Sequence, residues 1–236
     1  MYPEFVGLTA DSRAEPAPAL EAETFLMTAV SIDSLDLAAL LCSRVCHDLI
    51  SPVGAIVNGL EVLADENDEE TKTFALDLIK KSAGTASAKL QFCRIAFGAA
   101  GSAGAQIDSG DAEKVARGFL EDEKTKLEWQ LPRLLLPKNR VKLLLNMLLI
   151  AAQAIPRGGK LAVASAGEGE SMGFTVAATG TNAKVPPNAA LISGEPGEEM
   201  LDAHRIQPFY TGLLAKACGL TASAALEGDA VVIAAR

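Results

Sequence analysis

Positive charge is scarce in this chain: 21 Lys and Arg stand against 30 Asp and Glu, for a net charge of -9. A surface of that sign repels a phosphate backbone, and no basic run offsets it locally, so no nucleic-acid partner is expected. Cysteine is equally sparse, at four in 236 residues. That is too few for a disulfide framework, and the placement of the four on apolar helix faces predicts reduced core thiols. Long apolar runs are missing too. The longest, residues 143–155, contains Asn146 and Gln153 and falls short of the roughly 20 residues a spanning helix needs, so no membrane is expected. The first thirty or so residues lack a basic start and an apolar h-region, which argues against a secretory signal. No internal repeat is evident. What remains reads as a soluble, cytoplasmic chain, 49% hydrophobic and long enough for one large domain or two small unequal ones.

Residues 1–29 mix Pro3, Pro16 and Pro18 with Ala and Glu, a composition that suits a mobile arm. From Ser34 to about Ala64, the apolar residues Leu41, Val45, Leu49, Pro52/Val53, Ile56, Leu60 and Leu63 recur at spacings of three and four, which predicts one amphipathic helix roughly 45 Å long. Ser31, Asp33 and Ser34 are candidate caps, and Pro52 is expected to cost a hydrogen bond and kink the helix. The acidic turn at residues 65–68 leads into a second helix over about 69–98, with Ala75, Ile79, Ala83, Ala86, Leu90, Cys93 and Phe97 on one face. Two helices cannot enclose such long stripes. Two copies of the hairpin would, as a four-helix bundle, so a homodimer is expected.

Residues 99–104 read as a short linker. Beyond it, the pattern predicts a helix over 111–122, a strand over 126–131 and a helix opened by Pro137 and running to about 155. Strands over 160–166 and 172–178, a polar excursion to about 196, a helix near 208–218 and a final hairpin turned at Gly228-Asp229 follow. Helices over one face of a mostly antiparallel sheet would bury this pattern.

On a wheel centred on Leu49, the face opposite the apolar stripe of the first helix carries Leu40, Arg44, His47, Ser51, Gly54 and Asn58. A polar outward face is ordinary, but this one surrounds a histidine. A neutral imidazole is a competent nucleophile toward phosphorus, and on a rigid helix it can be reached by an incoming protein. Asp48 is placed to bond one ring nitrogen, fixing the tautomer and stabilising the charge that develops. Arg44, one turn earlier, could contact phosphoryl oxygens, and Ser51, one turn later, could bond the phosphoryl group or a water. Leu40, Gly54 and Asn58 are candidate partner-binding positions. Cys42 and Cys46, four apart on one helix face beside His47, raise the question of a metal site. His47 points well away from both sulfurs, so two small core residues are the expectation for the cysteines. His204, the only other histidine, falls near a loop-to-helix junction and reads as an ordinary surface residue.

The stretch His47-Asp48-Leu49-Ile50-Ser51-Pro52 resembles the H-box of sensor histidine kinases, in which the phosphorylated His is followed by an acidic residue and, five positions on, by Pro. Residues 42–56 closely resemble the ChpT-type histidine phosphotransferases of alphaproteobacterial cell-cycle phosphorelays. That resemblance extends over both helices and, more weakly, over the rest of the chain. It implies an α+β architecture: an N-terminal arm (1–30), a helical hairpin for dimerisation and histidine phosphotransfer (31–100) forming a dimeric four-helix bundle, and a degenerate histidine-kinase-like (Bergerat-type) α/β sandwich domain (105–236).

Residues 144–159 look like the family's helix and Pro-x-Gly-Gly turn, but Ile150 sits where an Asn would hold magnesium, and isoleucine offers no oxygen. Ala178 stands where an Asp would read adenine, Asn182 replaces a glycine of the same motif, and no glycine-rich phosphate loop follows. The implied activity is that of a relay without ATP-dependent kinase activity. His47 accepts a phosphoryl group from an aspartyl phosphate on the receiver domain of a hybrid histidine kinase and passes it to the Asp of response regulators. No cofactor is expected on this chain; Mg2+ is expected on the receiver-domain partner. The alternatives are a true ATP-dependent histidine kinase and a non-catalytic scaffold.

Overall fold

A computed structural model describes residues 32–65, 68–98, 105–167, 172–194 and 200–236. The N-terminal arm, Ser31 and the linker at 99–104 lie outside the described residues. Two long helices come first. α1 spans Ser34–Asp65 and runs unbroken through Pro52, which is buried; its first helical bond runs from Leu37 N to Asp33 O at 2.9 Å. α2 spans Glu69–Ala96 and opens on Asp68, whose carboxylate accepts from Thr71 N and Thr71 Oγ1 at 2.9 and 2.8 Å. This cap satisfies a donor that the first helical turn leaves without a partner. The Thr71 backbone N–H, with its hydroxyl, holds the Asp68 carboxyl below the usual carboxylate range.

The two helices pack closely because small residues meet at the seam. Gly59 is buried, and a methyl group added to it would lie 2.6 Å from Ile79 Cγ1. Ala75, Ser82, Ala86 and Cys93 of α2 are buried on the same seam. The apolar stripe of each helix is wider than this seam, however. Ile50, Val53, Val57 and Leu60 of α1 and Phe74, Leu76 and Leu90 of α2 are exposed. Among the described residues, α1 is the one helix long and apolar enough to cross a membrane by length and composition. Its apolar surface is nonetheless a stripe beside a polar face, the pattern of a helix awaiting another helix.

The second domain is a five-stranded sheet with strand order β2-β4-β5-β7-β6. β2 (Thr125–Trp129) pairs parallel with β4 (Gly159–Ala166), while β5 (Gly173–Thr179), β7 (Ala230–Ala235) and β6 (Ala222–Glu227) continue antiparallel. Alternation gives the sheet one buried face, carrying Leu127, Leu161, Val163, Phe174, Val176, Ala178, Val231 and Ile233. α4 (Lys138–Ala154) packs on that face, with α3 (Ser109–Leu120) toward the β2 edge and α5 (Ile206–Ala217) toward the β6 edge. The α+β class and the helices over one face agree with the sequence reading.

Three elements were not anticipated. β1 (Gln106–Asp108) and β3 (Leu135–Pro137) form a small antiparallel pair, each too short for a period-two pattern to register. A 3-10 turn at Ala189–Ser193 sits within the polar excursion.

The hairpin and the second domain share a core. Phe92, Ile95 and Ala96, at the end of α2, belong to the same buried cluster as the sheet, and Phe92 stacks on Phe119 of α3 at 4.4 Å between ring centres. Asn146, fully buried in α4, donates from Nδ2 to Ala96 O at 3.0 Å and to Lys142 O at 2.9 Å. Gln207 of α5 donates to the Asn146 carbonyl at 2.9 Å. At the other end, Leu37, Leu40 and Leu41 of α1 pack on Leu191, Ile206 and Phe209. Replacing Asn146 with Leu strands the Ala96 carbonyl in an apolar setting. The expected cost is about 1–3 kcal/mol, read as a lower urea midpoint at unchanged m-value.

Candidate functional site

His47 lies near the middle of α1, on the flank of the exposed apolar stripe that begins one turn on at Ile50. Its side chain is 59% exposed. At about 100° per residue, the helix places Arg44, Ser51 and Asn58 on the same side. Asp48 leans toward α2 and is mostly buried, at 13%. Its carboxylate is shared: Oδ2 accepts from Arg44 Nε at 3.1 Å, and Oδ1 faces His47 Nδ1 at 3.5 Å. The second contact is at the long end for a hydrogen bond. It still orients Nδ1 toward the acid and leaves Nε2 as the nitrogen not engaged by Asp48.

Lys89 of α2 donates from Nζ to the Asp48 backbone carbonyl at 2.8 Å. This bond takes a carbonyl one turn before Pro52, the one left without an i+4 partner because proline has no N–H. The proline therefore creates an acceptor beside the histidine, and a lysine from the neighbouring helix fills it. Lys89 also adds a positive charge beside Asp48. Cys93, one turn further along α2, has its thiol pushed up to about 11, first by burial and then by the nearby Asp48 carboxylate. It is an inert packing residue rather than a second nucleophile.

The other expected site residues divide. Ser51 and Asn58 are exposed and Gly54 half-buried. A methyl group added to Gly54 would meet nothing within 4 Å, so the surface beside His47 is low and open. Arg44 was expected to face phosphoryl oxygens, but it is 13% exposed and paired with Asp48, so it braces the acid. Leu40 was expected to meet a partner, but it packs against the α5 cluster within this chain. The cysteines need a correction. Cys42 and Cys46 are exposed and only Cys93 is buried, because α2 covers one flank of the α1 stripe and these two sit on the other. Among the described residues, no group of three or more His, Cys, Asp and Glu side chains is arranged to hold a metal ion.

Sequence reasoning missed His204. It is exposed, as expected, but its ring centre lies 5.2 Å from that of His47, edge to face at 78°. The loop that carries it is pinned by Asp202, whose Oδ1 accepts from the backbone N–H groups of His204 and Arg205, both at 2.8 Å. These bonds, that of Arg205 foremost, hold the Asp202 carboxyl below its usual range. Neither Lys89, 41 residues from Asp48 along the chain, nor His204 carries a local sequence signal.

Of the three positions in the second domain that the sequence reading set apart, two are sealed in the core and Asn182 is exposed. Ile150 of α4 is 1% exposed and Ala178 of β5 is 0%. Ala178 pairs in register with Leu161 and Val231. Neither supplies a polar atom beyond its backbone.

The sequence and fold have close counterparts. Residues 109–230 match the family described as histidine phosphotransferase C-terminal domain. Protein phosphotransferase ChpT of Brucella abortus (strain 2308) is 53% identical over 207 residues, covering 87% of this chain and 98% of that protein. A solved structure described as a bacterial phosphotransferase superposes with a TM-score of 0.80 at 50% identity, covering 88% of this chain and 99% of the other. With a histidine-bearing helical hairpin docked on an α/β domain of this type, the chain belongs to the ChpT family of histidine phosphotransferases and works in a phosphorelay.

Proposed function

We propose that His47 is the phosphoacceptor, and that it takes its phosphoryl group from an aspartyl phosphate on the receiver domain of a hybrid histidine kinase and returns it to the Asp of a response regulator. The observation that carries this reading is the site itself: an exposed imidazole on a rigid helix, with Nδ1 turned to an acid and Nε2 not engaged by it. In the transfer, Nε2 supplies the electron pair for the new P–N bond while the P–O bond to the donor aspartate breaks. The aspartate carboxylate leaves with the pair of the broken P–O bond. His47 keeps its proton on Nδ1, where Asp48 stabilises the positive charge that forms. Arg44 and Lys89 hold Asp48 and its backbone in place, so most of the chain's contribution is positioning.

Magnesium would arrive on the receiver partner, since the described residues of this chain offer no cluster of carboxylates for it. A kinase reading is not favoured, because the Ile150 and Ala178 side chains, buried in the core, offer no ligand to a nucleotide or its metal. The reading is that of a soluble, cytoplasmic carrier. The expected result with radiolabelled phospho-receivers is rapid label transfer to the wild-type chain and none to His47→Ala, with both folding alike by circular dichroism. Titration with ATP and magnesium is expected to show no saturable heat.

We further propose that the chain works as a homodimer. Ile50, Val53, Val57 and Leu60, 48–73% exposed, form a continuous apolar stripe that a second hairpin would cover in a four-helix bundle. Each dimer would then present two copies of His47 on its outside. Val57→Glu with Leu60→Glu is expected to convert the dimer to a monomer in light scattering.

A further inference from the structure

We infer that His204 is a second imidazole of the phosphotransfer site, contributed by the α/β domain, whose N–H donates to the phosphoryl group carried on His47; this rests on the reading of His47 as phosphoacceptor. His204 lies far from His47 in sequence, yet their ring centres are 5.2 Å apart and set edge to face. Two independent features make the meeting deliberate rather than the chance contact of a loop. Asp202 clamps the His204 backbone into the turn that opens α5. The Leu37, Leu40 and Leu41 surface of α1 fixes that same end of α5 against the helix bearing His47.

A phosphoryl group on His47 brings three acceptor oxygens into the crook between α1 and the α5 turn. Arg44 Nε is held by Asp48 and Lys89 Nζ by the Asp48 carbonyl; His204 brings a further donor to these oxygens, from the α/β domain. An imidazole N–H at this separation reaches a phosphoryl oxygen after rotation about its two side-chain torsions. A hydrogen bond of this kind to a charged group is among the stronger ones, and it strengthens as the group passes between His47 and an aspartate. His204 breaks and forms no covalent bond; the electron pair and leaving group are those already described. The α/β domain, no longer furnished for nucleotide chemistry, would thus keep one chemical function.

The test compares single-turnover transfer from a radiolabelled phospho-receiver to wild type, His204→Phe, His204→Gln and His47→Ala. Phe keeps the ring packing without a donor, and Gln keeps an N–H donor without the ring. The expected result is a fall of about tenfold or more for His204→Phe, recovery to within about threefold of wild type for His204→Gln, and unchanged unfolding midpoints for both. Transfer by His204→Phe at the wild-type rate, or equal losses in the two variants, overturns the role of the N–H and leaves the relay reading standing. Label on His47→Ala, or none on wild type from any receiver, overturns the relay reading itself.

Discussion

The Ala96 carbonyl, in the last turn of α2, belongs to the group of helix-end acceptors that have no partner within the helix. It is capped by Asn146 from the buried middle of α4, and the Asn146 carbonyl in turn receives Gln207 from α5. In a dry core these amide contacts have defined distance and direction, and leaving one unmade costs far more than it gains when made. They therefore set an angle, where apolar packing alone would tolerate several. The hairpin is held to the α/β domain through this link, with the Phe92–Phe119 stack beside it. Where the start of α5 falls along α1, and so what lies beside His47, follows from that angle.

The site on α1 is organised around a consequence of Pro52. A proline inside a helix removes a donor, and the carbonyl it releases is that of Asp48, next to His47. Lys89 reaches across from α2 to take it. The helix stays continuous through Pro52, the neighbouring helix is tied at this level, and a positive charge is placed beside Asp48 without exposing it to a partner. Arg44 adds a second tie. Asp48 is thus a fixed feature of the scaffold, whereas His47 remains free on the surface.

Much of this was legible from residue spacing. The two long helices, the alternation of the strands and the buried face of the sheet follow from periods of 3.6 and 2, which the chain keeps over long stretches. The stripe carrying Arg44, His47, Ser51 and Asn58 follows from the same geometry. Reading stopped where partners come from elsewhere in the chain. Leu40 and Arg44 looked available to a ligand because a wheel shows which way a residue points but not what meets it. Cys42 and Cys46 looked buried because an apolar stripe does not announce how much of its width a single neighbour can cover. The three-residue strands β1 and β3 are too short to show any period.

By itself, then, the sequence determined the local structure and the exposed face that carries His47, since both depend on interactions within a few turns of chain. It also determined that Ile150 and Ala178 bring no polar side-chain atom to the second domain, whatever surrounds them. The tertiary structure alone decided which charged groups brace Asp48, which flank of α1 stays uncovered, and that His204 stands against His47. The first two depend on how α2 packs along α1; the third depends on how the α/β domain sits against the hairpin, where buried amide contacts join residues far apart in the chain.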